Sequence, residues 1–178
     1  SLRSQPTATV TLTLSDNDST EVVATPSILT FSSGNWSTSQ LIMLTGKDDN
    51  VSDDNQSILL TLTPSSSDSK YNSTSLAETL TVTASDNDTV GLVVSRDNVT
   101  VDERSGTDNF TVRLLTKPLD NVTLTLSDND STELSVSPTS LTFSPDNWSE
   151  AQTVVVSGVT DRFDDGNQTS MITIAGDN

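Results

Sequence analysis

The sequence predicts an all-β protein made of two tandem antiparallel β-sandwiches, and two observations support this prediction. Short segments such as Val10 to Leu14 alternate apolar and polar residues with period two, and Asp, Asn, Ser and Pro separate them. Such alternation is typical of half-buried strands, those residue types favour turns, and regular spacing of the strands favours a sandwich. In addition, a gapless internal repeat indicates two copies of one structural unit. Further strands are expected at 59–62, 80–82, 110–112, 122–126 and 171–174.

The internal repeat has an offset of 112 residues. Segments that recur at this offset include Asn35-Trp36-Ser37 as Asn147-Trp148-Ser149, Leu12 to Glu21 as Leu124 to Glu133, Pro26 as Pro138, Gly46 as Gly158, and Asn55-Gln56 as Asn167-Gln168. We place the domain boundary between residues 88 and 89, which gives a first sandwich at 1–88 and a second at 89–178.

Neither copy contains every segment of the repeat. The first copy has no counterpart of Val90 to Arg113, and the second has none of Leu76 to Asp88. We therefore expect each sandwich to lack edge strands within this chain, which leaves edges open to pairing with other strands. Two interpretations remain: a slice of a longer tandem array, or a protomer that neighbouring copies complete in a fibre. The chain also lacks a signal-peptide pattern, which suggests a mature or excised segment.

The composition excludes several classes of function. The net charge of −17 argues against nucleic acid as a partner, because such binding needs clustered Lys and Arg. It also argues against adsorption to anionic membranes, and we find no apolar run long enough to insert into a bilayer. Cysteine and histidine are absent, so disulfides, thiolate metal sites and imidazole bases are excluded. The carboxylates recur with the repeat, as structural features do, and we expect no enzymatic activity.

Asparagine occurs almost only in N-glycosylation triplets. Of thirteen asparagines, every one followed by two residues begins an Asn-X-Ser/Thr triplet without proline, and only Asn178 cannot be judged. Chance would give roughly four among twelve, because Ser and Thr make up about a third of the chain. We therefore expect N-linked glycans at twelve sites, although a turn residue is the simpler interpretation of any single one. The sites are Asn17, Asn35, Asn50, Asn55, Asn72, Asn87, Asn98, Asn109, Asn121, Asn129, Asn147 and Asn167.

Several of these triplets have the same period as a strand. In four of them the middle residue is apolar: Asn98-Val99-Thr100, Asn109-Phe110-Thr111, Asn121-Val122-Thr123 and Asn147-Trp148-Ser149. If that residue points into the core, Asn and Thr share the outer face, so a glycan can project without disturbing the packing.

The second copy carries an ordered set of short motifs. They are Val101-Asp102-Glu103, Ser105-Gly106-Thr107, the strand from Phe110 to Leu115, Val136 to Phe143 with Asn147-Trp148, Gln152 to Val156, and the acidic loop from Asp161 to Gly166. A closing strand, Leu80 to Ala84 before Asp86-Asn87-Asp88, is found only in the first copy. The set resembles the Calx-β-like repeats of extracellular surface and adhesin proteins. That resemblance implies two tandem Ig-like antiparallel sandwiches of the Calx-β type.

Calcium-binding members of that family hold the ion with carboxylates at one end of the sandwich. The resemblance implies Ca²⁺ as an optional ligand, since a hard cation prefers oxygen donors. Neither copy contains all the acidic groups, and Asn50 and Asn87 place glycan triplets among them. Turn chemistry therefore stands as the alternative interpretation. The matching residues are Asp49, Asp53, Asp86, Asp88, Glu103, Asp161, Asp164 and Asp165.

These observations favour a secreted structural protein. We expect a protomer or segment of a heavily N-glycosylated extracellular filament or cell-surface coat, which requires no cofactor. Its partners would be copies of itself or neighbouring repeats of a longer chain, joined as tandem modules or through strand complementation. The alternative is a calcium-stiffened adhesin stalk.

Overall fold

The protein is described here by a computed structural model that covers residues 1–104, 106–162 and 166–176. Its regular structure is β apart from one 3-10 turn at Thr74–Leu76. The all-β prediction with antiparallel sheets is confirmed. The strands are β1 (Val10–Ser15), β2 (Val22–Thr25), β3 (Ile28–Phe31), β4 (Met43–Gly46), β5 (Gln56–Ser66), β6 (Glu78–Ala84), β7 (Leu92–Val94), β8 (Thr107–Leu114), β9 (Val122–Asp128), β10 (Leu134–Ser137), β11 (Ser140–Phe143), β12 (Gln152–Gly158) and β13 (Ile172–Gly176).

The chain divides into two compact units. The first consists of Ser1–Asp49 and Asp53–Asp86, and the second of Asn50–Ser52 and Asn87–Asn178. The first unit has a four-stranded sheet in the order β3-β1-β5-β6 and a two-stranded sheet of β2 and β4. The second has a four-stranded sheet in the order β10-β12-β8-β7 and a three-stranded sheet in the order β11-β9-β13.

The sequence repeat is reproduced in strand register. Val10 lies opposite Phe31 in the β1–β3 pair, and Val122 lies opposite Phe143 in the β9–β11 pair. The pairs β2–β4 and β10–β12 match in the same way, as do β1–β5 and β9–β13. Strand β6, which pairs with β5, has no counterpart among the described residues of the second unit. Strands β7 and β8, which extend the sheet beyond β12, have no counterpart among the residues of the first unit that the structure describes.

The presence of β8 in the second unit determines how the two cores differ. In the second unit, both sheets contribute to a single cluster of eleven buried apolar residues, including Phe110 and Val112 of β8. Two sheets that share one core form a β-sandwich. In the first unit, the buried residues separate into two clusters of three, one around Phe31 and one around Ile58. The described residues of that unit provide no strand to cover β4, and all four β4 residues are exposed.

One end of the first unit is closed by the segment that follows β5. The Tyr71 hydroxyl donates to the carbonyl oxygen of Ser4 at 2.6 Å, and its ring packs against the Phe31 cluster. Asp68 is buried, and its carboxylate accepts hydrogen bonds from the backbone N–H groups of Thr7 and Lys70 at 2.8 and 3.0 Å. The bond from Thr7, followed by that from Lys70, lowers the pKa of Asp68.

Candidate glycan-acceptor and cation sites

The asparagines of the glycan triplets lie at the protein surface. Ten of the twelve are exposed, and the other two, Asn35 and Asn147, are half-buried. No side chain among the twelve is buried, so each can be approached from solvent. Surface position is a requirement for an N-glycan acceptor.

The triplets at Asn17 and Asn129 occupy the same structural position in the two units. The Oδ1 atom of Asn17 accepts a hydrogen bond from the backbone N–H of Leu59 at 2.6 Å. Oδ1 of Asn129 accepts from the backbone N–H of Met171, also at 2.6 Å. The two asparagines follow repeat-equivalent strands, β1 and β9, and their side-chain carbonyls bond to a residue in β5 and to the residue directly before β13.

The middle residue of each of these triplets forms the turn. Asp18 accepts hydrogen bonds from the backbone N–H and the hydroxyl of Thr20. Asp130 accepts from Thr132 in the same way. The hydroxyl of Thr20, followed by its backbone N–H, lowers the pKa of Asp18. Short polar side chains that bond to the backbone two residues later stabilise turns of this kind.

The triplets at Asn35 and Asn147 also repeat atom by atom. Oδ1 of Asn35 accepts from the backbone N–H of Ser32 at 2.6 Å and from its hydroxyl at 3.1 Å. Oδ1 of Asn147 makes the same two bonds with Ser144 at the same distances. A fifth triplet has a bond of the same kind, in which Oδ1 of Asn55 accepts from the backbone N–H of Asp86 at 2.9 Å.

These hydrogen bonds orient the amide group in a way that suits glycosylation. The glycan bond forms at Nδ2 and leaves Oδ1 as a hydrogen-bond acceptor. Within the part of the chain that the structure describes, Nδ2 makes no hydrogen bond in four of the five anchored asparagines. The exception is Asn35, whose Nδ2 donates to the carbonyl oxygen of Thr30 at 3.3 Å. The Oδ1 atom thus contributes to the fold, whereas Nδ2 remains available for a glycan. Sequence reasoning found these triplets but not the anchoring role of Oδ1.

Of the four triplets predicted to lie on strands, those at Asn109 and Asn121 have the expected orientation. The prediction is wrong for the other two, because residues 98–100 lie outside the strands and residues 147–149 form a turn. Phe110 is buried in the core of the second unit, whereas Asn109 is exposed and Thr111 half-buried on the same strand. In the next strand, Val122 packs against the core and Asn121 is exposed. A substituent on either asparagine would therefore extend away from the packed face.

Two cation candidates of the first unit, Asp53 and Asp86, lie next to one another in an acidic region. One carboxylate oxygen of Asp86 accepts from the backbone N–H groups of Asp53 and Asp54 at 3.1 and 3.0 Å. Desolvation raises the pKa of Glu21, and the charges of Asp53, Asp18 and Asp49 raise it further. Glu21 and Asp18 were not among the predicted candidates. Their signal in the sequence is the acidic stretch from Asp16 to Glu21, which recurs in phase as Asp128 to Glu133.

In the second unit, two of the predicted groups approach one another. The hydroxyl of Thr160 donates to the backbone carbonyl oxygen of Glu103, which places the residue before Asp161 next to Glu103. The backbone carbonyl of Asp88 accepts from the Ser52 hydroxyl at 3.4 Å. Asp164 and Asp165 lie outside the described residues. Within 1–104, 106–162 and 166–176, no group of three or more acidic side chains has a geometry that could hold a metal ion.

Each unit also has an apolar cavity. A cavity of about 480 Å³ in the second unit is lined by Leu92, Leu114, Val122, Leu124 and other residues. Val122 and Leu124 are the repeat counterparts of Val10 and Leu12, which lie in or against the Phe31 cluster, where Tyr71 packs. The cavity carries no chemistry that indicates a ligand.

Within the described residues, no helix has the length and apolar character that a membrane span requires. No protein-family model matches the chain, and no significant match is found among curated proteins.

Proposed function

We propose that this chain is a structural segment of an extracellular, heavily N-glycosylated filament or cell-surface coat, without enzymatic activity. Its building unit would be an Ig-like sandwich of the Calx-β type. The two-sheet core of the second unit supports that subtype, together with the ordered motifs from Val101 to Trp148. The proposed partners are further modules of the same repeat.

The observation that carries the proposal is the sequence context and surface position of the asparagines. Twelve of twelve assessable asparagines begin glycan triplets, none is buried, and the anchored ones bond to the backbone through Oδ1. An asparagine that served only as a turn residue would have no need of Ser or Thr two positions later. The triplets at Asn17, Asn35 and Asn55 recur at Asn129, Asn147 and Asn167, so a carbohydrate pattern would repeat with the modules.

Such an exterior has a clear physical role. Exposed strand edges promote association between sheets, and charge or bulky polar groups oppose it. A net charge of −17 and glycans on both sheets and turns would keep neighbouring filaments apart and hydrated. The apolar cores and the β pairing between modules would bear mechanical load along the filament.

Site occupancy is the direct test. The chain is secreted from eukaryotic cells and treated with an N-glycosidase that converts each glycosylated Asn to Asp, and the peptides are read by mass spectrometry. We expect conversion at most of the twelve sites. A variant with Ser131→Ala serves as the control, because it removes the triplet at Asn129 and keeps the asparagine. Unmodified asparagine at most of the sites would overturn the proposal.

A second candidate is a calcium-stiffened adhesin stalk. The observation in its favour is the crowding of carboxylates around Glu21, whose pKa is raised by desolvation and then by neighbouring acids. A bound divalent cation would relieve that repulsion. Thermal unfolding with Ca²⁺ and with excess chelator tests this function. Identical melting temperatures in the two conditions would exclude it and leave the carboxylates as solvated surface.

A further inference from the structure

The inner side of β4 in the first unit is an apolar cleft, which we call the β4 cleft. It is lined by Leu14, Ile42, Leu44, Leu60, Leu62 and Leu80. Leu44 and Leu80 are 36% and 56% exposed, which is unusual for leucines that face the interior of a sandwich. Among the described residues, β4 pairs only with β2, so its other edge has no partner strand.

The second unit shows what the same positions do when they are covered. Ile42 and Leu44 correspond to Val154 and Val156, which are both 0% exposed. There, β8 pairs with β12, with Phe110 opposite Val154. The apolar residues of β8 belong to the same buried cluster as both valines. The β4 cleft therefore has the side chains that contact β8 elsewhere, but the described residues of the first unit include no counterpart of β8.

A glycine provides a second and independent observation. A Cβ atom placed on Gly158 would lie 2.4 Å from the carbonyl oxygen of Asp102, because the turn before β8 passes directly over this glycine. The counterpart, Gly46, has nothing within 4 Å of the same position. In the second unit, this position must be glycine because the turn before β8 lies against it. The first unit has a glycine at the same position, although no turn lies against it.

One backbone hydrogen bond near the cleft is the same in both units. The backbone N–H of Leu2 donates to the carbonyl oxygen of Trp36 at 2.8 Å. In the second unit, the N–H of Leu114 donates to the carbonyl oxygen of Trp148 at 3.0 Å. Leu2 thus occupies the position of Leu114. Residues Gln152–Ser157, which correspond to Gln40–Thr45 of the first unit, pair with Thr107–Val112.

We propose that the β4 cleft binds a strand of a neighbouring module of the same repeat, antiparallel to β4 and equivalent to Val101–Val112. Counterparts of Phe110 and Val112 extend the core of the first unit, and the preceding turn lies over Gly46. This inference rests on the proposed tandem-module function and names the contact by which modules join. Backbone pairing provides affinity, and the alternating apolar residues provide specificity, as in other cases of strand addition.

The test uses the full chain, produced without glycans in bacteria, and a fluorescent peptide with the sequence of Val101–Val112. We expect saturable binding, together with slower hydrogen exchange of the backbone amides at Met43–Gly46. A peptide with Phe110→Asp and Val112→Asp loses the apolar face, and we expect binding at least about tenfold weaker. This change leaves the protein itself unaltered.

Matched variants of the protein locate the contact. Leu44→Asp and Gly46→Ala should each weaken binding about tenfold or more, since the first charges the cleft and the second obstructs the turn. Thr45→Lys, on the same strand with its side chain facing away from the cleft, should bind like the unchanged protein. Unaltered circular dichroism spectra establish that the variants are folded.

Two results would overturn the inference. One is equal binding by the two peptides. The other is a change in hydrogen exchange confined to β12, which means that the peptide displaces β8 of the second unit. The unglycosylated protein separates this test from that of the proposed function, because loss of strand binding says nothing about occupancy, and unoccupied asparagines say nothing about the cleft.

Discussion

Alanine at two repeat-equivalent glycines should have opposite effects on stability. A Cβ atom on Gly158 would lie 2.4 Å from the carbonyl oxygen and 2.8 Å from the carbonyl carbon of Asp102. On Gly46 it would meet no atom within 4 Å. Neither glycine has a positive φ, so alanine can adopt the backbone conformation at both positions. The two substitutions are chemically identical and differ only in what covers the strand.

The expected magnitudes follow from these distances. Since Cβ atoms essentially never approach other heavy atoms within 3.0 Å, the backbone at Asp102 must retreat by about 0.6 Å in the Gly158→Ala variant. Overpacking of this kind costs about 1–3 kcal/mol. The shift also perturbs the 3.0 Å hydrogen bond from Gly158 N–H to the carbonyl oxygen of Gly106, whose loss costs about 1 kcal/mol. We expect Gly158→Ala to destabilise the second unit by about 2–4 kcal/mol, and Gly46→Ala to stabilise the first by about 0.5 kcal/mol.

The two tryptophans allow each unit to be followed separately, because Trp36 lies in the first unit and Trp148 in the second. A Trp36→Phe background leaves Trp148 as the only reporter, and Trp148→Phe does the converse. Urea unfolding followed by fluorescence then provides one free energy of unfolding for each unit. Equal changes in the free energy of unfolding, or a difference below about 1 kcal/mol between the two variants, would refute the argument that the turn before β8 covers Gly158 and that nothing covers Gly46.

Three further predictions use the same single-tryptophan assays. Val156→Ala should destabilise its unit by about 2–3 kcal/mol and Leu44→Ala by less than about 1 kcal/mol, although leucine loses more atoms, because only Val156 is fully buried. Without glycans, Asn129→Ala should cost about 1 kcal/mol and Ser131→Ala nothing measurable, since only the former removes the acceptor of a backbone N–H; equal costs would contradict the anchoring role. The lowered pKa of Asp68 stabilises the first unit above the ordinary value of 3.8, so the free energy of unfolding should fall as the pH drops through that value and then through the lower folded pKa. Asp68→Asn should weaken this pH dependence. An unchanged pH profile in that variant would contradict the stabilising role of the Asp68 carboxylate.

Much of the local organisation was predictable from the sequence. The alternation in Val10 to Leu14 and Val122 to Leu126 lies within β1 and β9, because inward and outward residues alternate in any half-buried strand. The repeat of 112 residues predicted the matching registers of both copies. The triplet pattern identified the candidate glycan acceptors, and the turn residues around them account for their exposure.

What the sequence alone could not determine depends on contacts between distant segments. Leu44 and Val156 both belong to apolar stretches of similar pattern, yet only Val156 is buried, since burial requires β8 to lie against β12. Gly46 and Gly158 are identical in type, and only the path of the turn at Asp102 distinguishes them. The tertiary structure likewise revealed that the side-chain carbonyls of asparagines in the glycan triplets accept hydrogen bonds from backbone N–H groups up to 42 residues away. Alternation and repetition are local properties of the chain, whereas coverage of a strand is a property of the sheets that assemble around it.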